Sequence, residues 1–334
     1  MSVAAENTER LASIRWSPGE WMGALGDAGT FVPIYLALVA LNGLPPARSL
    51  ALVGAIYVAA SLYFRIPIPV QPLKAMAAIA IARGLGMDAL AAAGLWMGAL
   101  LLALAFSRRI EWLARYFTQP IIKGIQLGLG LMLLKTGLQL MAGGPPSVAP
   151  SVPPPESEGL WPFISSFWLL VLPQLPLTLG NSIFAVSDVA RSYFSGQAQR
   201  ATPRNFSISL GLANLSIGAM GGMPVCHGSG GLTAHYRFGA RTAGSTIIAG
   251  GFYLVLAAGR APQILGSIPA VLLGAMVVYV GLCHAALIRG LSERRLLAWV
   301  LGIIGLATGN LTYALGFGLV AEEAYRRMKT WEHC

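Results

Sequence analysis

The sequence predicts an all-α integral membrane protein of about twelve spans, arranged as an inverted repeat with two discontinuous spans. Three observations carry that prediction: an apolar composition, a one-sided distribution of loop charge, and two short Pro-Val motifs at matching places in the two halves. Of 334 residues, 55% are hydrophobic and only 11% charged, with a mean hydropathy of +0.65. A soluble domain carries far more charge. The formal net charge is +10, but the basic residues are scattered between apolar runs rather than gathered on one face, which argues against nucleic acid as a partner.

Apolar runs bounded by Pro, Gly or charge fall at about 20–42, 47–64, 70–83, 88–107 and 119–141. A Pro-rich stretch without Lys or Arg follows at 143–159. Further runs lie at about 161–190, 205–220, 225–236, 242–259, 263–287, 293–309 and 311–325. With both termini cytosolic, only Arg48, Arg83 and Arg260 lie outside, and Lys74, Lys123 and Lys135 fall within or at the edges of spans. Every other basic residue lies inside, which is the asymmetry expected of a bilayer protein read in the correct register. A wrong span count would have mixed the two groups.

The polar start, Met1 to Arg15 with Glu6, Glu9, Arg10 and Arg15, does not read as a cleaved signal peptide, so the first span is expected to be retained. Cys226, Cys283 and Cys334 are odd in number and widely spaced, which predicts free thiols. Cys226 and His227 alone make no metal site, His235 is expected at the cytosolic end of its span, and no metal or cofactor is predicted.

The repeat shows in two pairs of motifs. Pro69-Val70-Gln71 answers Pro224-Val225-Cys226, and Leu25-Gly26-Asp27 answers Leu179-Gly180-Asn181. Asp27 precedes Pro69 by 42 residues, and Asn181 precedes Pro224 by 43. With five spans in the first half, the second copy starts from the opposite side of the membrane. Ala75, Ala77, Ala78, Ala80 and Ala82 follow the first Pro-Val motif, and Gly211, Gly218, Gly221 and Gly222 precede the second. Small residues let helices approach closely in lipid, so these spans are expected to form an inner layer. Residues 119–141 and 263–325, rich in Leu, Ile and Val, are expected to form a separate and more peripheral one.

Each Pro-Val motif reads as an extended segment entering a half-helix, with Gln71, Pro72, His227, Gly228 and Ser229 in the first turns. A helix that begins in mid-membrane presents unpaired N–H groups and about half a positive charge. That is an anion site. Lys74, whose ammonium costs about 2.5–3.5 kcal/mol near the bilayer centre, needs a polar cavity or a partner. It either pairs with Asp27 as a structural tie or serves as a fixed positive charge beside a substrate. Two tips and one ammonium sum to roughly plus two, a field suited to a dianion.

Gln71, Thr30, Gln174, Thr178, Asn181, His227 and Ser229 are the candidate neutral donors around that charge. His227 has the alternative of a core histidine bonded to a carbonyl, and Thr178 and Ser229 that of bonding back to their own helices. Asp27 would repel a dianion on contact. It is expected either to neutralise Lys74 in the empty state or to take up a coupling proton or cation.

Four blocks carry a resemblance: Gly23 to Pro33 (GALGDAGTFVP), Pro67 to Ala75 (PIPVQPLKA), Pro173 to Asn181 (PQLPLTLGN), and Met223 to Arg241, which contains PVCHGSGG and ends HYRFGAR. In them the chain resembles a bacterial member of the molybdate transporter family, related to the sulfate permeases, and 204–257 is similar to the permeases' corresponding helices. The resemblance implies a core domain bearing the site and a gate domain, related by an inverted repeat of about seven spans each. This chain is expected to have room for one short apolar run, Leu160 to Leu172, where two more helices would stand, and to carry no carboxyl-terminal regulatory domain.

The domain layout is therefore expected as 1–19 cytosolic, 20–107 core first repeat, 119–141 a reduced first gate repeat and 142–160 an extracytoplasmic loop. Residues 161–259 would be the core second repeat, 263–325 the second gate repeat and 326–334 a cytosolic tail. The resemblance leaves open a homodimer.

The expected function is secondary active transport of a tetrahedral oxyanion across the inner (plasma) membrane, molybdate first and sulfate next, coupled to a proton, to sodium or to neither. A nucleobase or other anion symporter on the same architecture is the alternative, disfavoured by Asn181 and Ser229 where such a carrier would place a carboxylate. A membrane enzyme would need more than Ser229 with His227. A channel would need a filter or a ring of charge that is not visible.

Overall fold

A computed structural model describes residues 13–107, 109–143, 161–259 and 269–331. Backbone groups in lipid must find partners within the protein, and here helices satisfy nearly all of them. The first span is broken: α1 (Pro18–Ala24) and α2 (Ala28–Asn42) are separated by a turn at 25–27. There follow α3 (Pro46–Phe64), the two-residue strand β1 (Gln71–Pro72), α4 (Lys74–Arg83) and α5 (Met87–Ser107). Pro18 and Pro46 stand in the first turns of α1 and α3, where a missing N–H costs no helical bond.

A short α6 (Ile110–Ala114) leads to α7 (Gln119–Met141). The next helical run contains α8 (Trp161–Ser166), α9 (Leu172–Leu177) and α10 (Val186–Tyr193), joined by π-helical segments at Phe167–Val171 and Thr178–Ala185. The counterpart of the α1–α2 break is thus a π segment containing Gly180 and Asn181. Both motifs of that pair sit where the helix departs from α geometry, which frees side chains and backbone for other contacts.

The second half continues with α11 (Pro203–Met220), strand β2 (Val225–Cys226), α12 (Ser229–Arg237) and α13 (Gly244–Ala258). It ends with α14 (Ala270–Ala286), a 3-10 turn Leu287–Gly290, α15 (Arg295–Thr308) and α16 (Leu311–Trp331). Among the described residues, six helices are long and apolar enough to cross a bilayer by themselves. The others are shorter, less apolar, as α16 is, or broken at the Pro-Val motifs.

Strands β1 and β2 pair antiparallel, with Gln71 opposite Cys226 and Pro72 opposite Val225. Two equivalent segments that meet antiparallel run in opposite directions, so the halves form an inverted repeat. Helix packing repeats the exchange: α3 packs on α13, and α5 on α11. Each contact is made through facing glycines. A Cβ on Gly54 would lie 2.7 Å from Gly250 O, one on Gly250 2.8 Å from Gly54 O, and those on Gly98 and Gly211 would lie 2.8 and 3.2 Å from each other's carbonyls. These approaches permit the dispersion contact that joins helices in lipid.

Three expectations are corrected. The half-helices begin later than expected, at Lys74 and Ser229, because Gln71, Pro72, Val225 and Cys226 stay extended to form the β1–β2 ladder and Leu73 N–H donates to Pro224 O at 2.9 Å. Unpaired extended backbone at that depth would be costly, and mutual pairing removes the cost. Second, α7 is not peripheral: it contacts α4, α9, α14, α15 and α16, and two thirds of its apolar window is buried (67%). Gly130 and Gly137 press against α14 and Gly124 and Gly128 against α15 and its neighbours, so its glycines outweigh its leucines in setting its place. Third, α16 continues through 326 to Trp331. The expected loop at 142–160 lies, beyond residue 143, outside the described residues, as does Cys334.

Candidate functional site

The two half-helices point their N-termini at one place because the β1–β2 ladder holds the residues just before them. A Cβ added to Gly228, the cap of α12, would stand 2.6 Å from Gln71 Oε1, 3.3 Å from Lys74 Nζ and 3.4 Å from Asn181 Nδ2. Only a glycine lets the second tip come this close to the first.

A cavity of about 380 Å³ opens at this point. Of the predicted residues, Asp27, Thr30, Gln71, Lys74, Gln174, Asn181 and Ser229 line it. Thr178 does not: it is fully buried and its Oγ1 accepts from Gln174 Nε2 at 3.1 Å. His227 does not either. It is 0% exposed, with Nδ1 2.7 Å from Pro69 O and Nε2 2.9 Å from Ser209 Oγ, which makes it a core histidine that ties the two Pro-Val motifs together.

Lys74 Nζ donates to Gln71 Oε1 at 2.7 Å, and Gln71 Nε2 donates to Asp27 Oδ1. Asp27, 2% exposed, also accepts from Tyr57 Oη. Lys74 and Asp27 therefore communicate through one amide rather than by a direct ion pair. The amide cannot be reversed without setting a donor against the ammonium and an acceptor against the carboxylate.

The two tips are not equivalent. On α4, Gln174 Oε1 accepts from Ala75 N–H at 2.7 Å and from Met76 N–H at 3.2 Å, so this tip is capped by a side chain. On α12, the first helical bond is Leu232 N–H to Gly228 O, and Ser229, Gly230 and Gly231 ahead of it all line the cavity. Ser229 Oγ donates to Asn181 Oδ1 at 2.6 Å rather than to its own helix. The main-chain donors offered to a guest therefore come chiefly from α12.

The far wall was not anticipated. Lys123 and Gln126 on α7, and Cys283, His284 and Leu287 at the end of α14, complete the lining. Gln126 Oε1 is buried without a hydrogen-bond partner among the described residues, and His284 Nδ1 is bonded to Val280 O at 2.9 Å. The sequence shows that Lys123 and Gln126, three apart, share a polar helix face in an otherwise apolar run, but not which neighbours that face meets. His235 stands in the last turn of α12, two residues before exposed Arg237, yet its side chain is 0% exposed and packs against Gly23 and Asp27, a burial that its place in the sequence does not indicate.

Charged side chains lining the cavity are Asp27, Lys74 and Lys123. With the helix tips the balance is about plus two, against the roughly plus two inferred from two tips and Lys74 alone. Among the described residues no group of His, Cys, Asp and Glu is arranged to hold a metal ion.

Solved structures of the same fold include the transmembrane domain of a cyanobacterial bicarbonate transporter, BicA, with a TM-score of 0.66 at 14% identity, covering 89% of this chain and 96% of that one. The murine Solute Carrier 26 family member A9 anion transporter in its inward-facing state gives 0.62 at 13% identity, over 97% of this chain and 70% of that one. The shared architecture is the core-and-gate inverted repeat. By sequence, the chain is 27% identical to molybdate transporter 2 of Arabidopsis thaliana, over 90% of this chain and 85% of the relative. It is 24% identical to molybdate transporter 1 of Chlamydomonas reinhardtii, over 96% and 95%. Residues 19–133 and 166–283, which hold all four motif blocks and both half-helices, match the family described as "Molybdate transporter of MFS superfamily"; the chain belongs to the molybdate transporter family.

Proposed function

We propose that the protein is a secondary active transporter of a tetrahedral oxyanion, molybdate first and sulfate second, working by movement of the core against the gate around the cavity. The observation that carries this reading is the meeting of the α12 N-terminus with Lys74 across Gly228, opposite Lys123 on α7. Buried main-chain donors and fixed ammonium groups replace the water that a dianion loses, and the uncharged rim of Thr30, Asn181 and Ser229 supplies donors without further charge. Relatives that match over most of their length are named molybdate transporters, which supports the choice of ion.

With both termini in the cytosol of a cell bounded by this membrane, Lys123 near the start of α7 and Cys283, His284 and Leu287 at the end of α14 lie in the cytosolic half. The cavity then faces inward. Arg83 Nε bonds Gly309 O at 2.8 Å on the opposite side, joining α4 to the α15–α16 turn where the outer entrance would open.

Reconstitution into liposomes with labelled molybdate tests the reading. Saturable uptake, accelerated by molybdate on the far side and inhibited by tungstate and sulfate, is the expected result. Uptake that neither saturates nor shows counterflow, or none of any of the three anions, would overturn it.

A further inference from the structure

We infer that His235 and Asp27 form a buried proton-binding pair, and that one proton on this pair accompanies the anion bound at Lys74. The inference rests on the transport reading above and assigns its coupling ion. It starts from an orphaned atom: His235 Nε2 is buried and has no hydrogen-bond partner among the described residues. The other ring nitrogen, Nδ1, lies 2.6 Å from Gly23 O. A carbonyl oxygen can only accept, so Nδ1 carries a hydrogen. Nε2 is then a bare lone pair in the neutral ring and an N–H donor in the imidazolium.

That nitrogen faces Asp27 Oδ2 at 3.6 Å. Both oxygens of Asp27 already accept, Oδ1 from Gln71 and Oδ2 from Tyr57, so the group is furnished as a carboxylate. A lone pair aimed at a carboxylate across a buried contact is repulsive. One proton on Nε2 turns the contact into an ion pair, and the pair changes from a charge of minus one to zero. Asp27 lines the cavity while His235 does not, so the proton enters and leaves by way of the carboxylate, from and to water in the cavity.

Other titratable groups near the pair are Tyr57 on α3, Tyr253 on α13, Cys226 on β2, and Lys74 on α4 through Gln71. Of the further elements packed on α12, α1 carries Glu20, which is bonded to Thr242 and Ser245, and α10 carries Asp188, Arg191 and Tyr193, the last stacked on Tyr236. The tyrosines and the thiol are neutral donors at physiological pH, and Lys74 is the charge that must be left free for the guest. With the pair deprotonated, the full charge of Asp27 reaches Lys74 through Gln71 and opposes a dianion. With the pair protonated, Asp27 is neutralised locally and the ammonium and the α12 tip act on the anion alone. Close approach of α12 to the 25–27 turn is built in: a Cβ on Gly26 would stand 2.6 Å from His235 N.

Calorimetric titration of the purified protein with molybdate, in two buffers of different ionisation enthalpy and over the pH range where molybdate stays a dianion, tests the assignment. The expected result is uptake of about one proton per molybdate, and an affinity that falls about tenfold per pH unit above the titration of the pair. In His235→Gln the uptake should vanish and the affinity become flat with pH. Asp27→Asn, which deprives the imidazolium of its partner, should also abolish uptake and serves where His235→Gln does not fold. Intact wild-type binding without proton uptake would overturn the pair and leave the transport reading standing. Undiminished uptake in either variant would likewise place the proton elsewhere. No molybdate binding at any pH would strike the transport reading itself.

Discussion

Gln71 and Cys226 stand directly opposite each other in the antiparallel β1–β2 pair, and each is the residue after Pro-Val in its own half of the chain. Equivalent residues that face one another mark the axis relating two halves. The exchange of α3 and α5 with α13 and α11 is the same symmetry seen in the helices. Facing residues of an antiparallel pair have Cα atoms about 4.5–5.5 Å apart, within disulfide range. Gln71→Cys should therefore form a bond with native Cys226 under mild oxidation, seen as two linked peptides after proteolysis. Two free thiols under those conditions would contradict the register.

Lys74 is the fixed charge nearest the α12 tip. Removing a charge-assisted bond to an anion costs about 1.5–3 kcal/mol, so Lys74→Ala should weaken molybdate binding by roughly tenfold to a hundredfold. Lys74→Arg keeps the charge but not the compact ammonium bonded to Gln71, and should fall between. Binding isotherms for the two variants, compared with Gln71→Ala, check the ordering.

Asn214 is fully buried on α11 and holds β2 as a third strand would: its Oδ1 accepts from Val225 N–H and its Nδ2 donates to Val225 O, both at 2.9 Å. Asn214→Ala leaves an N–H and a C=O buried and unpaired at the membrane centre. A loss of about 2–4 kcal/mol is expected from two such groups. Thermal unfolding in detergent should show it as a lowered transition even with molybdate absent. Asn214→Asp should not rescue, since it restores only the acceptor.

Gly26→Ala places a methyl 2.6 Å from His235 N and 2.8 Å from its Cα, both backbone atoms that have no rotamer to yield. Separation of α1 from α12 should follow, with loss of transport and a lowered unfolding temperature. Gly29→Ala, three residues on, meets nothing within 4 Å and is the matched control, expected to behave as wild type.

Cys283 is exposed and lines the cavity. In a Cys334→Ser background, an impermeant thiol reagent applied from the cytosolic face should label it, and saturating molybdate should slow that labelling several-fold. Labelling from the outer face alone would reverse the proposed orientation of the cavity.

By itself the amino-acid sequence determined the solvent and the repeat. Apolar runs, the one-sided arginines and the paired Pro-Val motifs depend on short-range chemistry: hydropathy, charge next to a span, and the backbone limits of proline. They also located Lys74, Gln71, Asp27, Asn181 and Ser229 at one centre, because groups of that polarity have nowhere else to go inside lipid. Tertiary structure alone decided the starting points of the half-helices: Gln71 and Pro72, expected in a first turn, pair instead with Val225 and Cys226, segments 154 positions apart at the Cys226 Sγ contact to Pro72 O, and His227 and Gly228 stand ahead of α12. It also decided that His227 braces the core while His235 meets Asp27, and that α7 brings Lys123 and Gln126 to the same cavity. Those outcomes rest on which helix faces meet, and the facing is set by glycine contacts between distant elements that no local pattern encodes.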